Sequence, residues 1–334
     1  MTNAVNLSTV AATGFLRNRI INGAMVIDQR NAGAVVTVAS GATNYIADRF
    51  AFTNNASNSV TIQQVTDAPA DFSYSSKVTI GSANTLGSTQ YIDLFHNVEG
   101  YNFADMAWGT VSAKTITVSF WVKSSVSGTH GGMVINNANN RTFAFTYTIS
   151  AANTWEYETV TIPGDVTGTW NTTNLRGVGL FFTMGSGATY LTSPNVWTAG
   201  VFLAPTTAVN LAAVAGATWQ ITGVQLEVGS VATPFERRLY GNELALCQRY
   251  YEIGNNWQLF SGYVVNGDTY YNPVRFSVTK RANPTVTTTV VAASRFPSSI
   301  TTPSVNVDGF YGQASANITG TGYYQYTWTA SAEL

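Results

Sequence analysis

Residues 114–125 read KTITVSFWVKSS, and this stretch sets the character of the chain. Ile116, Val118, Phe120 and Val122 fall on one side of an extended backbone, with Thr117, Ser119 and Trp121 on the other. Strict alternation of this kind marks a strand with one face in a core. The pattern recurs in RTFAFTYTIS through Phe143, Phe145, Tyr147 and Ile149, and in GVGLFFTMG through Val178, Leu180, Phe182 and Met184. In ATWQITGVQLE, Trp219 and Ile221 are in phase while Val224 and Leu226 are not, so the spacing predicts a β-bulge at Gly223.

Between the runs lie SGTHGG, IPGDVTGTWNTTN and MGSGATYLTSPN, whose glycines, asparagines and prolines predict turns. Many short strands without intervening helices predict an all-β chain with a jelly-roll β-sandwich. This domain is placed at residues 22–229. Residues 230–253 are read as a short helical linker and 254–334 as a second, smaller C-terminal β-sandwich domain. In the linker, Thr233-Pro234-Phe235-Glu236 has the form of a capping box with Pro at the first helical position. One helical turn is expected there, then a second piece near Tyr240 to Tyr251 with Tyr240, Leu244, Cys247 and Tyr251 as its apolar stripe. Farther on, NGDTYYNPVRFSV predicts a hairpin turning at Asn266-Gly267, and Pro284 is expected at a strand start.

Composition narrows the function. The 334 residues are 45% hydrophobic but only 10% charged, so Thr, Ser, Asn and Gly must supply most of the polar surface. A net charge of −1, with no basic run longer than two residues, argues against nucleic acid as a partner. The single cysteine, Cys247, leaves no internal disulfide framework. No apolar run is long enough for a membrane span, and the N-terminus lacks the pattern of a signal peptide. The expectation is a protein made in the host cytoplasm, without membrane insertion, which, if it works outside a cell, leaves by a route other than an encoded secretion signal, lysis being one such route.

Catalytic patterns are sparse. His96 lies near Asp93, Glu99 and Asp105, a constellation that could in principle serve glycoside hydrolysis or hold a metal. No second histidine stands at ligand spacing, and a strand and turn with a mixed face explains the residues more simply. Glu156 and Glu158 alternate with Trp155 and Tyr157 and read as the solvated face of a strand. No nucleophile elbow or phosphate loop is present. No catalytic residue and no cofactor is therefore expected. A structural calcium held by Asp28, Asp93 or Glu227 is the one ion considered, without a supporting motif. Aromatic residues make up 13% of the chain. Trp121, Trp155 and Trp219 are assigned to the sandwich core or its edge. Trp257, Tyr263, Tyr270, Tyr271 and Tyr311 lie in or beside turns and are the candidate ligand-binding residues. Rings beside Asn and Asp can stack on a sugar, and they serve subunit contact equally well.

The run GVQLEVGSVATPFERRLYGNELALCQRYYE resembles a segment of many bacteriophage tail-fibre and virion-appendage proteins. VEGYNFADMAWGTVSAKTITVSFWVKSS, TYTISAANTWEYETVTIPGDVTGTW, RIINGAMVIDQRNAG and RANPTVT are similar to the same group. The resemblance implies a virion structural protein with a carbohydrate-binding-module-like jelly roll. It also implies a homotrimer that touches host cell-surface carbohydrate and joins other virion proteins through residues 1–21. The chain lacks a long fibrous shaft, which leaves open a capsid decoration or cement protein of purely architectural role.

Overall fold

The computed structural model describes residues 17–334, apart from the side chains of residues 255–257. The chain divides into two compact units between Arg238 and Leu239.

In the first unit, two antiparallel sheets enclose one core. The six-stranded sheet runs, edge to edge, Val36–Val38, Val60–Val65, Ser75–Ile80, Thr218–Val228, Ile116–Ser124, Glu156–Ile162. The seven-stranded sheet runs Trp197–Ala199, Arg141–Ile149, Gly128–Ile135, Arg176–Ser186, Tyr91–Glu99, Phe50–Asn54, Ala42–Ala47. Sequence-distant strands lie side by side in both, as a jelly roll requires, and the all-β class expected from periodicity is the one observed. Ile116, Val118, Phe120 and Val122 are all fully buried. Trp219 fills the centre of the core and donates its indole N–H to the Tyr147 hydroxyl at 3.1 Å, so its polar atom has a partner.

At one end of the sandwich Trp108, Trp170 and Trp197 meet edge to face, with ring centroids 4.7–5.6 Å apart. Each indole N–H is bonded: to Lys114 O, to Asp165 and to Pro163 O respectively. Asp165 also takes both prongs of Arg141, at 2.8 and 2.9 Å. Burial would raise the Asp165 carboxyl, but Arg141, Trp170 and Thr167 outweigh it and hold its pKa below the usual carboxylate range.

The predicted bulge is present. Gly223 has φ +62°, and the pairing of Thr218–Val228 with Ile116–Ser124 slips between Thr222 and Gln225. The predicted turn at SGTHGG is not: from Gly128 these residues begin the interior strand Gly128–Ile135. Their glycines serve packing instead. A Cβ on Gly131 would lie 2.4 Å from Pro205, and one on Gly132 would lie 2.4 Å from the Phe145 ring.

The Thr233–Glu236 capping box does not form either, because stronger partners claim its groups. The Thr233 hydroxyl and N–H both donate to the buried Glu227 carboxylate, at 2.6 and 2.8 Å. Glu236 N–H donates to Gln225 Oε1 at 2.8 Å, and the Glu236 carboxylate accepts from Asn18 N–H at 2.5 Å. Asn18 in turn bridges Val224 O and Leu226 N–H, and Arg238 reaches Ile20 O at 3.0 Å. Residues 17–21, the end of the segment drawn at 1–21, are thereby built into this unit, and residues 1–16 lie outside the described residues.

In the second unit, one three-stranded sheet runs Tyr251–Val264, Gly320–Ser331, Thr285–Ser294 and the other Thr269–Arg275, Gly309–Ser315, Val305–Asn306. Their inner faces share a core that includes Tyr324, Tyr326, Trp328, Phe310 and Val264. Pro284 directly precedes a strand, as expected. The Asn266-Gly267 turn exists, but it carries the chain from one sheet to the other rather than closing a hairpin. The helix is confined to Tyr240–Gln248. It ends before Tyr251, which cuts the expected stripe. Cys247 is buried as expected, but Glu243 and Tyr250 are buried with it, and Tyr240 is 63% exposed. Lys280, fully enclosed, pairs with Glu252 and donates to Gln248 O at 2.6 Å, tying the helix end to the sandwich.

Two outcomes follow for stability. Glu227→Ala leaves the Thr233 and Gln225 donors without their buried acceptor, and should cost about 3 kcal/mol in urea unfolding of the first unit. Asp165 has a folded pKa below its unfolded value, so its contribution is present above roughly pH 4 and is lost as pH falls through the folded pKa. Asp165→Asn should therefore be less stable at neutral pH, with a flatter fall in melting temperature toward pH 2 than the parent.

Candidate functional site

The His96 constellation does not converge. Along Tyr91–Glu99, Leu94, His96 and Val98 face inward, while Asp93 and Glu99 lie on the opposite face six residues apart, roughly 20 Å. His96 packs against Phe50, its ring centroid 5.0 Å away, and Nε2 accepts from Ile21 N–H at 3.2 Å. Burial, reinforced by Arg49, holds its pKa well below normal and keeps the ring neutral. Asp105 pairs with Arg19 at 2.8 Å. The Asp93 carboxyl is buried without a hydrogen bond in the described residues, and burial pushes its pKa well above the carboxylate range, with only the neighbouring Thr183 hydroxyl opposing. The three residues considered for calcium lie apart in the fold. Asp28 closes a turn through Asn31 N–H and Gly33 N–H, Glu227 holds Thr233, and Asp93 faces Thr183.

The four turn aromatics whose side chains are described are likewise not gathered in one place. Tyr270 turns inward, packing on Phe260 and Phe296 with centroids 5.0 and 5.7 Å away, and its hydroxyl accepts from Val265 N–H. Tyr271 and Tyr311 form an exposed edge-to-face pair at 6.5 Å on the outside of the Thr269–Arg275 sheet. Tyr263 is exposed on the outside of the other sheet, beside Tyr323 and Leu259. The Trp257 side chain lies outside the described residues. Of the candidate residues, the structure brings Tyr271 and Tyr311 together, sets Tyr263 on another sheet and packs Tyr270 against the core.

A different aromatic surface stands on the outer face of the six-stranded sheet, where sequence reading expected core or edge packing. Trp121 points outward and is half-buried, with Tyr157 across the strand pair at 5.4 Å. The bulge at Gly223 opens the floor beside them. A Cβ there would come within 2.8 Å of Phe72 and 3.2 Å of Trp121. Phe72 meets Phe235 edge-on at 5.2 Å, and the Arg237 guanidinium lies 4.7 Å over the Phe72 ring. Trp121, Tyr157, Gly223 and Phe235, with Ser119, Thr233 and Pro234, bound a cleft of about 390 Å³.

Two residues along from Trp121, the Lys123 ammonium sits 5.0 Å over Trp155 and pairs with Asp67. Asp67 also accepts from Trp155 Nε1 and Gln220 Nε2, both at 3.3 Å. The Lys123 bond, above all, keeps the Asp67 carboxyl below its usual pKa, against burial. The result is a row of rings interleaved with fixed donors and acceptors. It can stack on flat apolar faces while bonding the hydroxyls around them. Sequence did carry a signal: Trp121 occupies the polar phase of a strictly alternating strand, where a large ring has no core to enter.

No protein-family profile matches the chain, and no curated protein matches it closely. Among solved structures, the chain is similar to the enzymatically active domain of bacteriophage CBA120 tailspike protein 4. Identity is 11% and the TM-score 0.35, covering 64% of this chain and 22% of that one. It is also similar to a family 11 carbohydrate-binding module of a Clostridium thermocellum cellulosomal cellulase, at 13% identity and TM-score 0.30, over 58% of this chain and 99% of the module. A third likeness is to TmCBM61 in complex with β-1,4-galactotriose, at 10% identity and TM-score 0.28, over 54% of this chain and 88% of that one.

Proposed function

We propose that this protein binds cell-surface glycan, without cleaving it, as a homotrimeric tail-fibre or receptor-binding appendage of a bacteriophage. The observation that carries the reading is the outer row of Trp121, Tyr157, Trp155, Phe72 and Phe235 with Asp67, Lys123 and Gln220 set between the rings. Sugar recognition needs that mixture: ring faces for the C–H surfaces and immobilised polar atoms for the hydroxyls. Asp67 is tied to three partners, so it is positioned to orient a ligand. The resemblance of the QLE…TPFE…LCQRYY run to virion-appendage proteins supports the setting, with the N-terminal segment as the link to other virion proteins. Three chains carrying one weak site each would gain effective concentration without any new contact. No cofactor enters the proposed role.

The architectural alternative, a capsid decoration protein, draws on one observation: Leu259, Tyr263 and Tyr323 are exposed together on one sheet of the second unit. It expects these residues to be occluded in the virion and the protein to map to the capsid by electron microscopy.

The test is a glycan array followed by cell adsorption. The parent protein should bind a defined subset of glycans and release no reducing ends from them. Tyr157→Ala and Trp155→Ala should each weaken binding about tenfold with unchanged melting temperature. Absence of any glycan binding by the assembled protein, or binding indifferent to both variants, overturns the proposal.

A further inference from the structure

A second cleft lies wholly within the C-terminal unit, along the outer side of the Thr269–Arg275 and Gly309–Ser315 strands. It encloses about 500 Å³, bounded among others by Arg275, Tyr311, Asn306, Asp308 and Thr279. Tyr271, Pro273 and Arg275 alternate outward along one strand, and Tyr311 is the cross-strand partner of Pro273. Gly309, opposite Arg275, lets the two strands approach closely: a Cβ there would lie 2.2 Å from Val274 O.

Arg275 is the informative residue. Every other arginine in the described residues bonds a backbone oxygen, an acid or some other group. Arg275 is exposed, and its guanidinium makes none of these contacts within the described residues. A five-donor fork left unengaged in a cleft beside an exposed ring suits a carboxylate. The remaining polar groups limit the ligand. Asp308 accepts from the Thr279 hydroxyl at 2.8 Å and leaves its other oxygen for a ligand hydroxyl. Asn306 Oδ1 is occupied by the N–H groups of Asp308 and Gly309, so its amide N–H₂ remains to donate. A nearby carboxylate disfavours a densely charged chain such as a polyphosphate. It suits a ring that carries one acid and several hydroxyls.

We propose that this cleft is a second saccharide site, selective for a uronic acid whose carboxylate pairs with Arg275 while its ring lies on Tyr311. The proposal shares with the preceding one the reading of the chain as a saccharide binder, but it uses none of the same residues. Calorimetry on the full chain, with β-1,4-linked triglucuronate and with cellotriose as its neutral counterpart, tests it. Triglucuronate should bind at least about tenfold more tightly than cellotriose, with affinity falling as salt rises. Arg275→Gln should erase the difference, Arg275→Lys should keep only part of it, and Tyr311→Ala should weaken both ligands. Tyr157→Ala in the first groove should leave the acid preference untouched, which separates failure at one site from failure at the other. No binding of triglucuronate, or equal binding by the parent and Arg275→Gln, overturns the assignment.

Discussion

The Glu227 carboxylate is the constraint on which the first unit's closure depends. It is 1% exposed and accepts from the N–H and hydroxyl of Thr233 and from Gln225, with the Arg17 guanidinium 3.6 Å away. Around it, Gln225, Asn18, Glu236 and Arg238 join three stretches: the chain entering the unit, the last strand of the sandwich, and the chain leaving it. A buried carboxylate is costly unless its oxygens are bonded, so these partners must all be in place together. That requirement gives the QLE and TPFE residues a structural reason to occur as a set. It also explains why a sequence that reads as a helix start is not one: the Thr hydroxyl and the Glu N–H have deeper partners than a helix end would supply.

The Gly223 bulge links this clasp to the aromatic groove. One extra residue resets the register, so Val224 and Leu226 enter the core while Gln225 and Glu227 turn toward the clasp. The same left-handed residue leaves a gap on the outer face that Phe72 and Trp121 approach closely. Any side chain there would be strained twice, by backbone conformation and by contact with those rings. Fold closure and groove shape therefore share one backbone irregularity. The bulge is not a defect in an otherwise regular strand.

How far the sequence could be read depended on whether the deciding interaction was local. Periodicity found the strands through Phe120, Phe145, Phe182 and Trp219, because alternation is a property of the strand itself, and the slip at Gly223 was legible for the same reason. Gly131 and Gly132 were misleading: glycine means a turn by local rule, yet here it admits Pro205 and Phe145 from elsewhere in the fold. Asn266-Gly267 announced a reversal but not which sheet the next strand would join. Tyr270, beside a turn in sequence, is drawn inward by Phe260 and Phe296. The groove was least legible of all, since Phe72, Trp121, Trp155 and Phe235 come from four separate segments.

The scarcity of charge sharpens the meaning of each ionised side chain. With only 10% charged residues, the protein gives most of them a definite structural task. Asp28 closes a turn, Asp165 braces Arg141 and Trp170, Glu227 and Glu236 form the clasp, and Glu252 neutralises the buried Lys280. In a charge-rich protein an unengaged surface arginine would carry no information, because exposed charges there serve mainly for solubility. Here Thr, Ser and Asn already supply solvation, so an arginine without a partner among the described residues is not needed for that purpose. Its position beside an exposed tyrosine and a turn with spare amide hydrogens is better explained by a ligand than by the fold.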